Sequence, residues 1–129
     1  MYRTTRKHFK QFKSECRYWL NAFGLLGWCV SFFHEMEPDG NLAWESHNVP
    51  GRIASLGLST EWEQLEPNKH EIRRVAFHEV CELLLARLDT EAKYRFAVED
   101  NINEARHAVI RTLEHVVWEC HEHGGMSNV

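Results

Sequence analysis

Apolar residues recur along the chain with two different periods, and the switch between them divides it into helices and strands. Phe9, Phe12, Cys16, Trp19, Leu20 and Phe23 return at helical spacing, which predicts an amphipathic helix over residues 4–22. Arg3, Arg6, Lys7, Lys10, Lys13 and Arg17 fill its other side, and Gly24 supplies a stop signal. Residues 28–36 are rich in β-formers and predict a strand, followed by a turn at Pro38, Asp39, Gly40 and Asn41. Residues 42–49 predict a second strand that closes a hairpin with the first, and Pro50-Gly51 breaks it. Between 52 and 58, Ile53, Ser55 and Gly57 alternate with Ala54, Leu56 and Leu58, which predicts a third, partly covered strand. A polar loop follows over 59–68.

The second half reads as helical. A long helix is predicted from Asn68 or Lys69 to Arg87, with a break and a candidate N-cap at Asp89-Thr90. A short helix over 91–98 and a last one over 102–120 follow, the last with a core stripe of Ile102, Ala105, Val109, Ile110, Leu113, Val116 and Val117. The tail, 121–129, is expected to fray. The fold class is therefore α+β: an N-terminal helix, a small three-stranded antiparallel sheet, then helices packed on one face, in a single domain over 1–129.

Within the long helix, one fragment is chemically out of place. His78, Glu79 and Glu82 interrupt the apolar run from Val75 to Leu88. A helix hydrophobic nearly all round is a core helix, and acids enter a core only when paired or bound to a cation. Glu79 and Glu82 stand three apart and His78 and Glu82 four apart, so all three crowd one side of the helix. A divalent metal would offset both acids. The bland alternative is a polar side facing solvent, with Arg73 or Arg74 pairing with the carboxylates across a turn. A catalytic metal needs three protein ligands and an open position. His107 on the last helix is the candidate third ligand, with Glu104 as an alternative ligand or an outer partner. Glu104 also fits a capping box begun by Asn101. Glu104-Ala105-Arg106-His107 has the Glu-x-x-His form found in di-metal bundles, but it occurs once.

His78-Glu79-Val80-Cys81-Glu82, with Gly51-Arg52-Ile53 on the strand before it, resembles the minimal zincins, the SprT-like and similar small metallopeptidases of bacteria and their phages. Glu82 stands where those families carry a second histidine. The resemblance implies a zinc-dependent hydrolase acting on a peptide or protein substrate. His78, Glu82 and His107 would hold zinc or another divalent transition metal, and Glu79 would act as general base. An extended peptide would add along the strand over 52–58. It equally admits a zincin-like module without catalysis that binds or inhibits a host protein or nucleic-acid complex, as a phage factor would.

Composition narrows little. At 129 residues, 43 % hydrophobic and 26 % charged, the chain is of ordinary globular type. No apolar stretch approaches a membrane span, and no secretory segment follows the basic start, so a cytoplasmic setting is expected (the host cytoplasm if phage-encoded). Four scattered cysteines argue for free thiols. A net charge of −4 gives no global attraction to nucleic acid. The basic stripe of the first helix reads as a solvated face. Its alternative role is phosphate contact, with Tyr2 and His8 available to stack or bond.

Overall fold

In the computed structural model, which describes residues 1–122, two long helices lie against one face of a three-stranded sheet. The elements in chain order are β1 (Tyr2–Arg3), α1 (Arg6–Ala22), β2 (Cys29–His34), β3 (Ala43–Asn48), β4 (Ile53–Leu58), β5 (Glu61–Trp62), α2 (Lys69–Leu84), α3 (Ala86–Lys93) and α4 (Glu99–Leu113). A π-helical turn (Glu114–Trp118) and a short α5 (Glu119–Glu122) complete them.

The α+β class holds, but the sheet is mixed rather than antiparallel. Its order is β2-β4-β3, with β2 parallel and β3 antiparallel to β4. The expected β2–β3 hairpin does not form. A local turn at 38–41 is present, with the Glu37 carboxylate accepting from the backbone N–H groups of Asp39 and Asn41, yet it joins two strands that β4 separates. Burial explains the choice. Ala54, Leu56 and Leu58 of β4 are all fully buried, whereas Cys29 and Phe33 of β2 are exposed. The strand with most apolar surface to cover takes the centre, where neighbours flank both edges.

Gly57 permits that arrangement. Trp44 on β3 lies directly across from it, and a β-carbon on Gly57 would come far inside van der Waals contact with the indole ring. Trp44 therefore covers the outer face of the sheet. The alternation then puts Ala43, Glu45 and His47 on the inner face, beside Leu58, Leu56 and Ala54 respectively.

Two ends of α1 show why the helix spans what it does. Thr5 caps its start: its hydroxyl accepts from the His8 N–H, while the His8 Nδ1 accepts from the Thr5 N–H. Gly24, at φ +70°, ends it in a Schellman motif, with Gly24 N–H on Asn21 O and Leu25 N–H on Leu20 O. The buried face of α1 (Phe12, Cys16, Leu20, Phe23) meets Ile72, Val75, Ala76, Val80 and Leu83 of α2 to form the main core. Glu15 ties the two helices at their rim, accepting from Trp19 Nε1 at 2.9 Å and from Arg73 Nε at 3.0 Å. β1 pairs with β5, a two-residue contact that sequence periodicity is too short to reveal.

The C-terminal half departs from expectation in its boundaries. α2 ends at Leu84, and Leu85 serves both as its C-cap and as the start of α3. Asp89 and Thr90 thus lie inside α3, where Asp89 pairs with Lys93, rather than at a break. α4 begins at Glu99, so Asn101 and Glu104 are interior and form no capping box. Of the expected core stripe only Ala105 is fully buried, while Ile110, Leu113 and Val117 stay well exposed. The reason is that α4 packs mainly on α3 and not on the sheet. Of the expected tail, residues 121 and 122 are helical, and 123–129 lie outside the described residues.

Candidate metal centre

Asn68 opens α2 by accepting the Glu71 N–H on its side-chain oxygen at 2.9 Å, and the helix packs between α1 and β3. Four turns of helix then place Arg74, Val75, His78, Glu79 and Glu82 along one wall of a cleft of about 390 Å³. The other wall is the loop end and first half of β3, from Asn41 to Glu45. Among the described residues, His78, Glu79 and Glu82 form the one group of three potential ligands, each offering an atom within 4.8 Å of the others. His78 Nε2 stands 3.5 Å from Glu82 Oε1.

The three differ in environment. Glu79 is 6 % exposed, whereas the His78 and Glu82 side chains stand at the mouth, 64 % and 49 % exposed. Burial pushes the Glu79 carboxyl up to about 8, and the nearby charges of Glu82 and Glu45 push the same way. No cation and no backbone N–H contacts it among the described residues. Its polar partner is the Glu82 carboxyl, which it can hydrogen-bond only when the pair shares a proton. The arginines do not relieve it. Arg74 Nε donates to Glu71 at 2.7 Å and Arg73 reaches across to Glu15.

No protein-family model, curated protein or solved structure matches the chain. The chemistry of the site must therefore be read from its own atoms. One imidazole nitrogen and two carboxylates, one of them on a buried residue, are a donor set that fits a divalent metal ion. Two ligands on a tetrahedral ion at about 2.1 Å lie roughly 3.4 Å apart, so modest side-chain rotation brings this group to binding distance. The group can hold a metal ion.

His107 and Glu104 are not brought to this group. α4 buries Ala105, and at about 100° per residue His107 points to the opposite side of the helix. The His107 ring lies exposed with Nδ1 2.8 Å from Asn103 O, and Glu104 faces Arg87 at 3.6 Å. His34 is likewise engaged elsewhere, on the Thr4 hydroxyl and stacked on Phe9. His70 is exposed at the start of α2. On the basic helix, Lys13 lies over the Phe9 ring and Arg17 over Phe32, while His8 is spent on the cap and Tyr2 on β1.

Sequence reasoning missed Glu45, and it gave no ground for choosing His47 among His34, His47 and His70 as a residue that faces the cleft. Glu45 faces α2 from the inner side of β3, with its side chain only 5 % exposed, and His47 Nδ1 lies 2.6 Å from its Oε2. Burial pushes the Glu45 carboxyl up, the His47 contact opposes this, and Glu82 and Asp89 reinforce it. The one sequence signal is the alternation of Ala43, Glu45 and His47 with Trp44 and Ser46, which puts Glu45 and His47 on one face without saying which face is covered.

Proposed function

We propose that the protein is a metal-dependent hydrolase of the peptidase type, with His78 and Glu82 as metal ligands and Glu79 as general base. The observation that carries this reading is the grouping of His78, Glu79 and Glu82, with potential ligand atoms within 4.8 Å of one another on the wall of an open cleft. Zinc is the ion the resemblance to minimal zincins favours, and when bound it supplies an acidified water and polarises a carbonyl. The protein's own groups do the rest. Glu79, beside both ligand side chains on the cleft wall, would take a proton from water and deliver it to a leaving amine.

Substrate would lie along β3 and not along the strand over 52–58. β4 is paired on both sides, so it has no free edge, whereas β3 is the outer strand beside the cleft. Its unpaired N–H and C=O groups offer an extended peptide a row of main-chain partners. Among the described residues no helix is long and apolar enough to cross a membrane.

Metal analysis of protein purified without a polyhistidine tag tests the reading. The expected result is one divalent transition ion per chain, lost in His78→Ala and Glu82→Ala. Glu79→Gln should retain the ion and abolish peptide hydrolysis. Less than stoichiometric metal that is indifferent to His78→Ala rejects it. A biological activity untouched by Glu79→Gln would instead mark a binding module.

A further inference from the structure

We propose that Glu45, on the inner face of β3, is the third protein ligand to the cation held by His78 and Glu82, with His47 fixing its other oxygen. This rests on the metal reading above and supplies what that reading lacks. With Glu79 reserved as base, α2 offers two ligands from one wall, and a hydrolytic site needs three with a position left open.

The opposite wall provides the candidate. Glu45 lines the same cleft as His78, Glu79 and Glu82. It sits on the core side of the sheet beside Leu56, a position at which a carboxylate is costly without a counter-charge. The cations around the cleft are committed elsewhere, Arg74 to Glu71 and Lys93 to Asp89. Glu45, Glu79 and Glu82 therefore share one cavity with His47 and His78 as their basic neighbours. A protonated His47 would satisfy Glu45 alone and leave Glu79, a residue 6 % exposed, facing the Glu82 carboxyl with no cation beside it. A divalent ion between the two walls answers all three acids at once.

The His47 contact has the form of an outer-sphere partner. One ring nitrogen on Oε2 orients the carboxylate and leaves Oε1 as the oxygen that would bind. Glu45 lies outside the 4.8 Å group, so binding draws its side chain inward by rotation about its own bonds. Two carboxylates and one imidazole neutralise a divalent charge and make an oxygen-rich set. Such a set suits zinc, manganese or ferrous iron rather than a soft cuprous ion.

The test is titration of tag-free full-length protein with Zn²⁺ against a chromophoric chelator, and with Co²⁺ followed by its visible spectrum. Glu45→Gln should weaken Zn²⁺ binding at least 100-fold and alter the Co²⁺ bands. His47→Ala should weaken it about 10-fold, as loss of an outer partner does. Glu45→Asp, one methylene shorter, should fall between wild type and Glu45→Gln. Thermal melts in chelator establish that each variant is folded. If Glu45→Gln and Glu45→Asp bind like wild type while His78→Ala does not, the assignment of Glu45 is overturned and the metal reading stands. If wild type binds neither ion, both fall.

Discussion

Glu79 and Glu82 hold carboxylate oxygens within 4.8 Å of each other on successive turns of α2, the first buried and the second half-exposed. Without a cation this pair makes stability depend on pH. The Glu79 carboxyl, ordinarily near 4.5, is raised to about 8 in the folded protein. Between those values the folded chain keeps a proton that the unfolded chain releases. The favourable contribution is thus complete below pH 4.5 and fades as pH rises through 8. After discounting for solvent at the cleft mouth, wild type in chelator should lose about 2 kcal/mol more than Glu79→Gln between pH 5 and 8. Urea midpoints at the two pH values measure this, and parallel profiles for the two proteins would refute it. Excess divalent metal should restore the wild type at pH 8 by mass action.

Trp44 and Gly57 make a second coupled pair. Gly57→Ala should destabilise the protein by about 2–3 kcal/mol, because the indole must move off the strand. In a Trp44→Ala background the same change should cost less than about 1 kcal/mol, a coupling that a double-mutant cycle reads directly. Equal costs in both backgrounds would mean that the close approach is not what requires glycine.

The cap of α2 supports the site from a distance. Asn68→Ala removes the acceptor for the Glu71 N–H and should cost about 1 kcal/mol in denaturant unfolding. Asn68→Asp should restore nearly all of it. A change of metal affinity without a change of stability would show that the cap acts on the site and not on the helix.

Thiol labelling separates the cysteines. Cys29 is exposed on the outer face of the sheet, whereas Cys16 is fully buried and its thiol is pushed far up by burial, with Glu79 and Glu15 adding to the effect. An aromatic disulfide reagent should modify Cys29 in the folded protein and Cys16 only at the rate of global unfolding. Rapid native labelling of Cys16, located by mass spectrometry, would contradict the packing of α1 on α2.

What the sequence made legible follows the range of each interaction. Helix α1 was readable because its apolar spacing and its Gly24 stop are both local, and so was the His78, Glu79, Glu82 face of α2. Strand positions were readable, but their pairing was not. The turn at 38–41 is a true local signal for a reversal, and it says nothing of which strand fills the space afterwards. Glu45 was hidden because alternation along β3 does not say which face is covered, and only the packing of Trp44 on Gly57 across the sheet turns Glu45 toward α2. His107 and Glu104 were drawn to α2 by residue type, and the burial of Ala105 against α3 turned them away.

The placement of β4 also bears on how the chain is made. Both outer strands leave the ribosome before the middle one exists, and neither is the other's mate. A nascent chain shorter than Leu58 therefore carries two strand segments with open backbone edges, and the sheet closes in a single event once β4 emerges. Parallel registry with β2 makes that event long-range, so it should set the pace of folding, while α1 can form and fray beforehand at little cost.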